Sequence, residues 1–378
     1  MNEKILLIDG HSILNRAFYG LPDLTSLDGT HTGAVYGFLN SLFRTLNEEK
    51  PEYVAVAFDT DTPTFRHEKY PEYKGTRKPM PEELKEQLPV LLELLKAMQI
   101  STVSASGYEA DDILGTLAKR SEEKGIDVTI LSGDRDLLQL VTGKVTLCFP
   151  ETSKGQTIVK RYTEEKVLEQ FRLTPKQITD LKGLMGDPSD NIPGILGIGE
   201  KTAVRLLVEY GSLENAYAHV EEISQKHVRE ALKENYAMAQ LCKELAVICT
   251  EVPVSCSYEE FRLKDVYTKE AYEIFKKLNF KNLLVRFDPA QINENSMEQD
   301  FFTCNDLDGC EALFEKAGKQ ERAGCALLGD KEGVYGLGLV LDEDEIYYIP
   351  VEGMITPEYL SDKLYILGKT ATVCAMDV

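Results

Sequence analysis

The 378-residue chain has no tryptophan, no C-x-x-C pair and no apolar run near the roughly 20 residues that span a membrane. Its first residues, MNEKILLIDG, lack the basic stretch and the long apolar run of a secretory signal. The eight cysteines stand singly, which favours reduced thiols over a zinc site or a disulfide framework. We therefore expect a cytoplasmic protein without a membrane partner, long enough for two or three domains.

The chain also lacks an excess of basic residues, because its formal net charge is −21, which argues against a nucleic-acid partner. The distribution of charge changes that conclusion. Residues 291–378 hold 18 acidic and 6 basic residues, whereas residues 1–290 hold 45 and 36. Nine acidic residues of the first part are candidate metal ligands, and without them this part is neutral. A local basic surface is therefore compatible with the composition.

Three apolar runs that suit buried strands each end at or just before an aspartate. KILLID ends at Asp9, YVAVAFD ends at Asp59, and DVTILSGD reaches Asp134. Helical patterns over 33–46, 81–98 and 110–125 alternate with these runs, which predicts an α/β fold with a mostly parallel central sheet and helices on both faces. Ligands of such sheets gather at the carboxyl ends of the strands, where these aspartates fall.

The pattern changes twice further along the chain. From about residue 161 it is mainly helical, with helices expected around 200–210, 212–220 and 226–247. A polar run after Phe287 reads as a linker, and the segment beyond it as strands with a helix. We predict a core over 1–160, a helical subdomain over 161–287, a linker over 288–299 and a partial α/β domain over 300–378.

Nine acidic residues are predicted to lie at strand ends or helix starts. Each has a structural explanation by itself, as a helix cap or a solvated turn. Together, around one sheet edge, they would repel one another without cations. Oxygen ligands without nearby histidine or cysteine favour two or more Mg²⁺ or Mn²⁺ ions, which can activate water for phosphodiester cleavage. The nine candidate ligands are Asp9, Asp59, Glu109, Asp111, Asp112, Asp134, Asp136, Asp187 and Asp190.

Two further segments suit nucleic acid. FRHEKYPEYKGTRKP (65–79) interleaves cations with aromatic residues, so it is either a solvated loop or a surface for phosphates and unpaired bases. GILGIGEKTA (194–203) places glycines before a helix, as in a helix–hairpin–helix that binds duplex backbone, and it does not match the Walker spacing. The candidate DNA contacts in these segments are Arg66, Tyr73, Lys74, Arg77, Lys78, Gly197, Gly199, Lys201 and Thr202.

Six motifs follow one another over residues 4–287, about three quarters of the chain: LLIDGHSILNRAFYG, VAFDTDTPTFRHEKYPEYKGTRKPMP, GYEADDILGTLA, LSGDRDLLQLV, LMGDPSDNIPGILGIGEKTA and FKNLLVRF. Together they resemble the 5′→3′ exonuclease (flap endonuclease-like) domain at the amino end of bacterial DNA polymerase I. The resemblance implies a PIN-like, resolvase-type nuclease fold. It also implies a helical arch over about 65–98 and a helix–hairpin–helix over about 184–210.

The resemblance further implies a structure-specific nuclease that cuts DNA near a 5′ flap, nick or overhang. RNA–DNA hybrids are further substrates, a monomer is expected, and K⁺ is expected at the hairpin. All nine acids match the family's acidic set, and Tyr73 matches a stacking residue. The implied catalytic residues are Lys74, Arg77 and Asp112, and Arg16 matches a basic residue beside the first strand.

The segment after residue 300 resembles the start of the RNase H-like 3′→5′ exonuclease domain that follows in polymerase I. A proofreading site needs D-x-E on its first strand, and ALLG (326–329) stands about there. We therefore expect a vestigial domain without proofreading activity.

Other functions remain open at the level of sequence. A haloacid-dehalogenase-like phosphatase also uses a first-strand aspartate, but it needs an acid where this chain has His11. A DNA-binding scaffold without catalysis would have no use for nine acids that repel one another. An RNase of the PIN class would be shorter and would lack the glycine-rich hairpin.

Overall fold

The computed structural model describes residues 3–22, 24–26, 29–153, 156–287, 301–330, 333–342 and 345–375. These fall into two compact units, which divide between Arg286 and Phe287. The predicted linker 288–299 lies outside the described residues. None of the described helices is long and apolar enough to cross a membrane.

The first unit is built on a six-stranded sheet in the order β3-β2-β1-β4-β5-β6. All neighbouring strands are parallel except β5 and β6. In β1, Ile5, Leu6, Leu7 and Ile8 are fully buried, as expected for a strand covered on both faces. The strands are β1 (Lys4–Asp9), β2 (Tyr53–Ala57), β3 (Ser101–Val103), β4 (Asp127–Leu131), β5 (Val145–Ser153) and β6 (Gln156–Tyr162).

Helices connect these strands and cover the sheet. The helix that follows β3 packs its Ile113, Leu114 and Leu117 in one core with Ile5 and Leu7 of β1. Leu6 and Ile8 alternate to the opposite face, where their complete burial requires a second layer. The helices are α1 (Gly10–Gly20), α2 (Gly33–Glu49), α3 (Phe65–Lys69), α4 (Glu82–Lys85), α5 (Gln87–Ala97) and α6 (Ala110–Glu123).

The segment predicted as a helical arch, 65–98, includes α5, which belongs to the core. Its Leu91, Leu94 and Leu95 are fully buried, and it contacts α2 and β3. It is the crossover helix that two parallel neighbouring strands, β2 and β3, require. Only the part of the segment before α5 can project from the sheet edge.

The helical part of the first unit has a core of its own. Leu184, Leu206, Leu213 and Leu232 are buried together there, and the predicted helices around 200–210, 212–220 and 226–247 are confirmed. Its helices are α7 (Glu164–Phe171), α8 (Gln177–Met185), α9 (Glu200–Tyr210), α10 (Leu213–Ala218), α11 (Lys226–Ala246), α12 (Lys269–Lys277) and α13 (Lys281–Leu284). Short 3₁₀ turns lie at Asp136–Leu140, Val220–Glu222 and Tyr258–Phe261.

The second unit is a mixed α/β domain with a five-stranded sheet in the order β11-β8-β9-β10-β7. Strands β8, β9 and β10 are antiparallel neighbours, and β11 runs parallel to β8. Residues 326–329 lie on β8 and supply no acid there. The elements are β7 (Phe301–Thr303), α14 (Leu307–Ala317), β8 (Arg322–Asp330), β9 (Gly333–Asp342), β10 (Glu345–Pro350), α15 (Pro357–Leu367) and β11 (Thr372–Ala375).

Candidate active site

A cleft of about 660 Å³ lies at the carboxyl ends of the central strands. Asp9 is the last residue of β1, Asp59 follows β2, and Asp134 follows β4. Because β2, β1 and β4 are parallel neighbours, their ends meet at one edge of the sheet. Glu109 and Asp111, at the start of α6, also line the cleft. Five of the nine predicted acids therefore line one cleft.

Asp9 is held by the first turn of α1 and by the loop after β4. Its carboxylate accepts hydrogen bonds from Ser12 N at 3.0 Å and from Ser132 Oγ at 2.8 Å. Burial raises the pKa of Asp9 to about 7, and the negative charges of Asp59 and Asp134 act in the same direction. Asp9 thus caps a helix and lines the cleft at once.

Asp59 and Asp111 connect the cleft to the start of α6. Asp59 Oδ1 accepts a hydrogen bond from Ala110 N at 2.7 Å. Asp111 Oδ1 is buried and has no hydrogen-bond partner. Burial raises the pKa of Asp111 well above its usual value, and the neighbouring charges of Asp112 and Glu109 add to this. An unpartnered carboxylate oxygen in an acidic cleft is a position that a hard cation would satisfy.

Basic side chains neutralise much of the remaining acidic charge. Lys74 Nζ lies 2.7 Å from Glu109 Oε1. Lys182 Nζ lies 2.7 Å from Asp136 Oδ1 and also pairs with Asp187. Across the described residues, no three His, Cys, Asp or Glu side chains are grouped closely enough to hold a metal ion as they stand. The remaining predicted ligands, Asp112, Asp136, Asp187 and Asp190, are not among the residues that line the cleft.

Arg66, a predicted DNA contact, is buried in this structure, with only 1 % of the residue exposed. Its guanidinium binds both carboxylate oxygens of Asp112 at 2.8 Å and lies 3.3 Å from Glu109 Oε2. It also donates to the carbonyl oxygens of Leu245 and Val247 at 2.9 and 2.8 Å.

Asp112 faces the interior rather than the cleft. It is completely buried, and its carboxylate is occupied by Arg66 and by the backbone N–H groups of Glu109 and Cys249. Asp112, a predicted metal ligand and catalytic group, is not among the residues that line the cleft in this arrangement. The helix-cap explanation of this motif is confirmed here, since Asp112 Oδ2 accepts from Glu109 N at 3.1 Å.

Tyr73 is also buried. Its ring is 3 % exposed, and its hydroxyl lies 3.0 Å from Asp190 Oδ2 and 3.1 Å from Glu109 Oε2. Tyr73, which is predicted to stack on a base, has no accessible ring face in this structure. The other carboxylate oxygen of Asp190 pairs with Arg77.

The other predicted DNA contacts are more accessible. Arg77 and Lys78 line the cleft, and Arg16 is half-buried on α1. The glycine turn (residues 194–199) precedes α9, whose first turn carries an exposed Lys201 and a half-buried Thr202. A Cβ added at Gly197 or at Gly199 would meet no atom within 4 Å, so their backbone is open to a partner. Leu196, which directly precedes Gly197, is 93 % exposed.

Sequence analysis missed three residues that hold the site together, Ser12 through its backbone N–H and Ser132 and Lys182 through their side chains. Ser12 and Ser132 bind Asp9, and Lys182 binds two of the acids. The three-residue spacing from Asp9 to Ser12 is a helix-cap signal that could have been read. The pairing of Lys182 with Asp136 has no local signal, because Asp136 comes from a separate segment of the chain.

Two family models match consecutive parts of the chain. The model of the 5′-3′ exonuclease N-terminal resolvase-like domain matches residues 4–172, and that of the 5′-3′ exonuclease C-terminal SAM fold matches residues 173–269. Their common boundary lies twelve residues beyond the boundary predicted at 160, after α7.

Curated relatives match most of the chain. It is 46% identical to DNA polymerase I of Bacillus caldotenax over 318 residues, which is 84% of this chain and 36% of that protein. It is 42% identical to DNA polymerase I of Bacillus subtilis over 367 residues, which is 95% of this chain and 41% of that protein. The chain thus spans about two fifths of the length of these relatives.

Solved structures share the fold at low identity. A T5 5′-exonuclease with divalent zinc ions bound matches with a TM-score of 0.54 and 21% identity, over 73% of this chain and 100% of that chain. The catalytic core of Rad2 in complex with DNA substrate matches with a TM-score of 0.52 and 16% identity, over 76% and 92%. The predicted mostly parallel nuclease sheet with an appended helical fold is confirmed.

Proposed function

The chain belongs to the 5′-3′ exonuclease family, and on that premise we propose that it is a structure-specific, metal-dependent nuclease that cuts DNA near a 5′ flap, nick or overhang. The observation that carries this proposal is the cleft in which Asp9, Asp59, Glu109, Asp111 and Asp134 meet beside Lys74. An acidic lining with an adjacent cation suits phosphodiester hydrolysis. RNA in an RNA–DNA hybrid is a further proposed substrate.

The five predicted ligands that line the cleft are the residues that would hold divalent ions. They offer only hard oxygen donors, which suits Mg²⁺ or Mn²⁺, and the unpartnered Asp111 Oδ1 fits such a ligand. When bound, such ions supply an activated water and stabilise the leaving oxygen. A structural neighbour described with divalent metal ions bound supports this proposal.

The chain's own residues bind and orient the substrate. Lys74 places its ammonium group in the cleft, where it would bind the phosphate to be cut. Arg77 and Lys78, on the same rim, would bind neighbouring phosphates. Burial of Asp9 and its two hydrogen bonds fix that carboxylate in one orientation.

The glycine turn is proposed to bind the duplex away from the cleft. Its open backbone precedes α9, so the first N–H groups of that helix, with Lys201 and Thr202, can bind a phosphate. K⁺ at this turn and a monomeric, cytoplasmic protein remain part of the proposal. A structural neighbour described in complex with DNA substrate supports DNA as the partner. For the second unit, we propose a vestigial 3′→5′ exonuclease-like domain, since β8 carries no acid at 326–329.

A cleavage assay tests the function. A 5′-labelled flap duplex is incubated with the protein and either Mg²⁺ or EDTA. Mg²⁺-dependent products close to the flap length are expected, and Lys74→Ala should lower their rate by about 100-fold. A folded protein that gives no Mg²⁺-dependent product would contradict the proposal.

A further inference from the structure

Lys74 has a backbone conformation that is unusual for its residue type. Its φ angle is +57°, in the left-handed region that side chains other than glycine seldom adopt. Such a conformation persists only where the surroundings hold it. The Lys74 N–H donates to the carbonyl oxygen of Asp190 at 2.9 Å, and Nζ pairs with Glu109. The backbone of Lys74 is therefore fixed from the segment that carries Asp190.

That segment, which we call the acidic loop (residues 187–192), binds the turn around Lys74 at further points. Asn191 Nδ2 donates to the carbonyl oxygen of Glu72 at 2.7 Å. Arg77 Nε donates to the carbonyl oxygen of Ser189 at 3.2 Å. Ile192 packs in one apolar cluster with Tyr73. The acidic loop thus contacts residues on both sides of Lys74.

The acidic loop is closed on itself and leads directly into the glycine turn. Asp187 and Ile192 exchange two backbone hydrogen bonds, of 2.7 and 2.8 Å. Gly186 and Gly194 approach so closely that a Cβ on Gly194 would lie 2.2 Å from Gly186 N. The connection between the glycine turn and the acidic loop therefore has little room to deform.

We propose that the acidic loop is a latch that couples duplex binding at the glycine turn to the position of Lys74, with Asn191 as a positioning residue. Asn191 is not among the residues that line the cleft. It acts by holding the carbonyl oxygen of Glu72, two residues before Lys74. The expected effect on cleavage rests on the proposed nuclease function. The effect of Asn191 on the position of Lys74 does not depend on that function.

Asn191→Gly is the variant that tests the latch. Asn191 has a φ angle of +57°, which glycine adopts readily, so the substitution removes the side-chain bond and keeps the backbone conformation accessible. Asn279→Gly is the matched control, since Asn279 has a φ angle of +59° between α12 and α13 and is exposed. Thermal unfolding of both variants checks that they fold.

Two readouts separate the latch from the nuclease function. The first is the single-turnover cleavage rate of a flap duplex, together with its Kd measured in EDTA. Asn191→Gly should lower the rate about tenfold and leave Kd within about twofold of wild type. The second is acylation of Lys74 by a small amine-reactive ester without DNA or metal, followed by mass spectrometry. The Lys74 rate relative to Lys78 should rise at least about threefold as the turn loosens.

The outcomes are distinct. If Asn191→Gly and Asn279→Gly give the same Lys74 acylation, the latch is wrong whatever the nuclease activity. If acylation rises but the cleavage rate of an active protein stays at the wild-type value, the coupling to catalysis is wrong. If acylation rises and wild type itself does not cleave, the proposed function fails while the structural latch stands.

Discussion

At the scale of single residues, the acidic edge of the sheet depends on where its charges find partners. Arg66 and Asp112 are both buried and bind each other through two hydrogen bonds of 2.8 Å. The same guanidinium reaches the end of α11 through Leu245. One buried cation therefore joins α3, α6 and α11. Breaking such a pair leaves a buried charge without a partner, which is costly.

Removing Arg66 should destabilise the first unit strongly. Arg66→Met should lower the free energy of unfolding by about 3 to 5 kcal/mol, because Asp112 loses its cation while remaining buried. Urea denaturation followed by circular dichroism measures this. Lys69→Met is the control, since Lys69 lies on the same short helix as Arg66 and forms an exposed pair with Glu244 of α11 that should contribute less than about 1 kcal/mol. If both variants lost the same free energy of unfolding, the buried pair of Arg66 and Asp112 would not stabilise the fold more than the exposed pair does.

Asp111 should behave in the opposite way. Its carboxylate is destabilised by burial and by neighbouring acids, so Asp111→Asn should raise the free energy of unfolding in EDTA. The same substitution should lower Mg²⁺-dependent cleavage by about 100-fold, because it removes a candidate ligand. Thermal unfolding with and without Mg²⁺ measures the first effect. Asp61→Asn, at an exposed position of the same cleft, is the control, and a loss of stability in Asp111→Asn would contradict the prediction.

The positions of the acids could be predicted from sequence, but their partners could not. Asp9, Asp59 and Asp134 follow apolar strands, and parallel strands bring their carboxyl ends together by a local rule. The partners of Arg66 are set by packing between segments far apart in the chain. Their sequence separations from Arg66 are 46 residues for Asp112 and 179 for Leu245. No pattern around FRHEK distinguishes a cation that faces DNA from one that is buried.

At the scale of elements, the junction of β1 and α1 leaves no space beside Asp9. A Cβ on Gly10 would lie 2.3 Å from the ring of Phe58, the residue before Asp59. The absence of a side chain at Gly10 therefore allows the ends of β1 and β2 to come together. The spacing of two cleft acids depends on this contact.

Gly10→Ala should disturb both stability and the site. The added methyl group forces Phe58 to move, at a cost of about 1 to 3 kcal/mol, and should also lower flap cleavage. Gly20→Ala is the control at the other end of α1, where a Cβ would meet nothing within 4 Å. Thermal unfolding and the cleavage assay measure the two effects. If Gly10→Ala and Gly20→Ala had the same thermal stability and the same cleavage rate, the close approach of Gly10 and Phe58 would matter for neither stability nor activity.

The helices of the first unit illustrate what an amphipathic pattern can and cannot reveal. PEELKEQLPVLLELLKAM predicts a helix with an apolar face, and α5 lies within it. The pattern does not say whether that face covers a sheet or belongs to an arch. The strand β3, which follows α5 and pairs with β2, shows that this face covers the sheet. A strand of three residues is too short to be recognised in the sequence.

At the scale of the whole molecule, two units carry separate cores. The first has one core on the sheet and another among the helices, and the second has its own around Leu337 and Leu339. All residues of the candidate active site and the glycine turn precede Arg286. The proposed nuclease therefore requires only the first unit.

A chain that ends at residue 290 should retain the activity. Its cleavage rate on a flap duplex should lie within about twofold of the full chain, because a unit with its own core can fold alone. Circular dichroism checks folding, and the full chain is assayed beside it. A folded but inactive fragment would show that the second unit contributes to the site.

The exposed position of Leu196 also allows DNA binding at the glycine turn to be followed by fluorescence. Because the chain contains no tryptophan, Leu196→Trp would place its only indole fluorophore at the tip of the glycine turn. Emission would then report on that turn alone, without background from either core. Titration with blunt duplex in EDTA should change the emission if the turn meets DNA, and titration with unpaired strand should not. Contact with the duplex could thus be timed separately from bond cleavage.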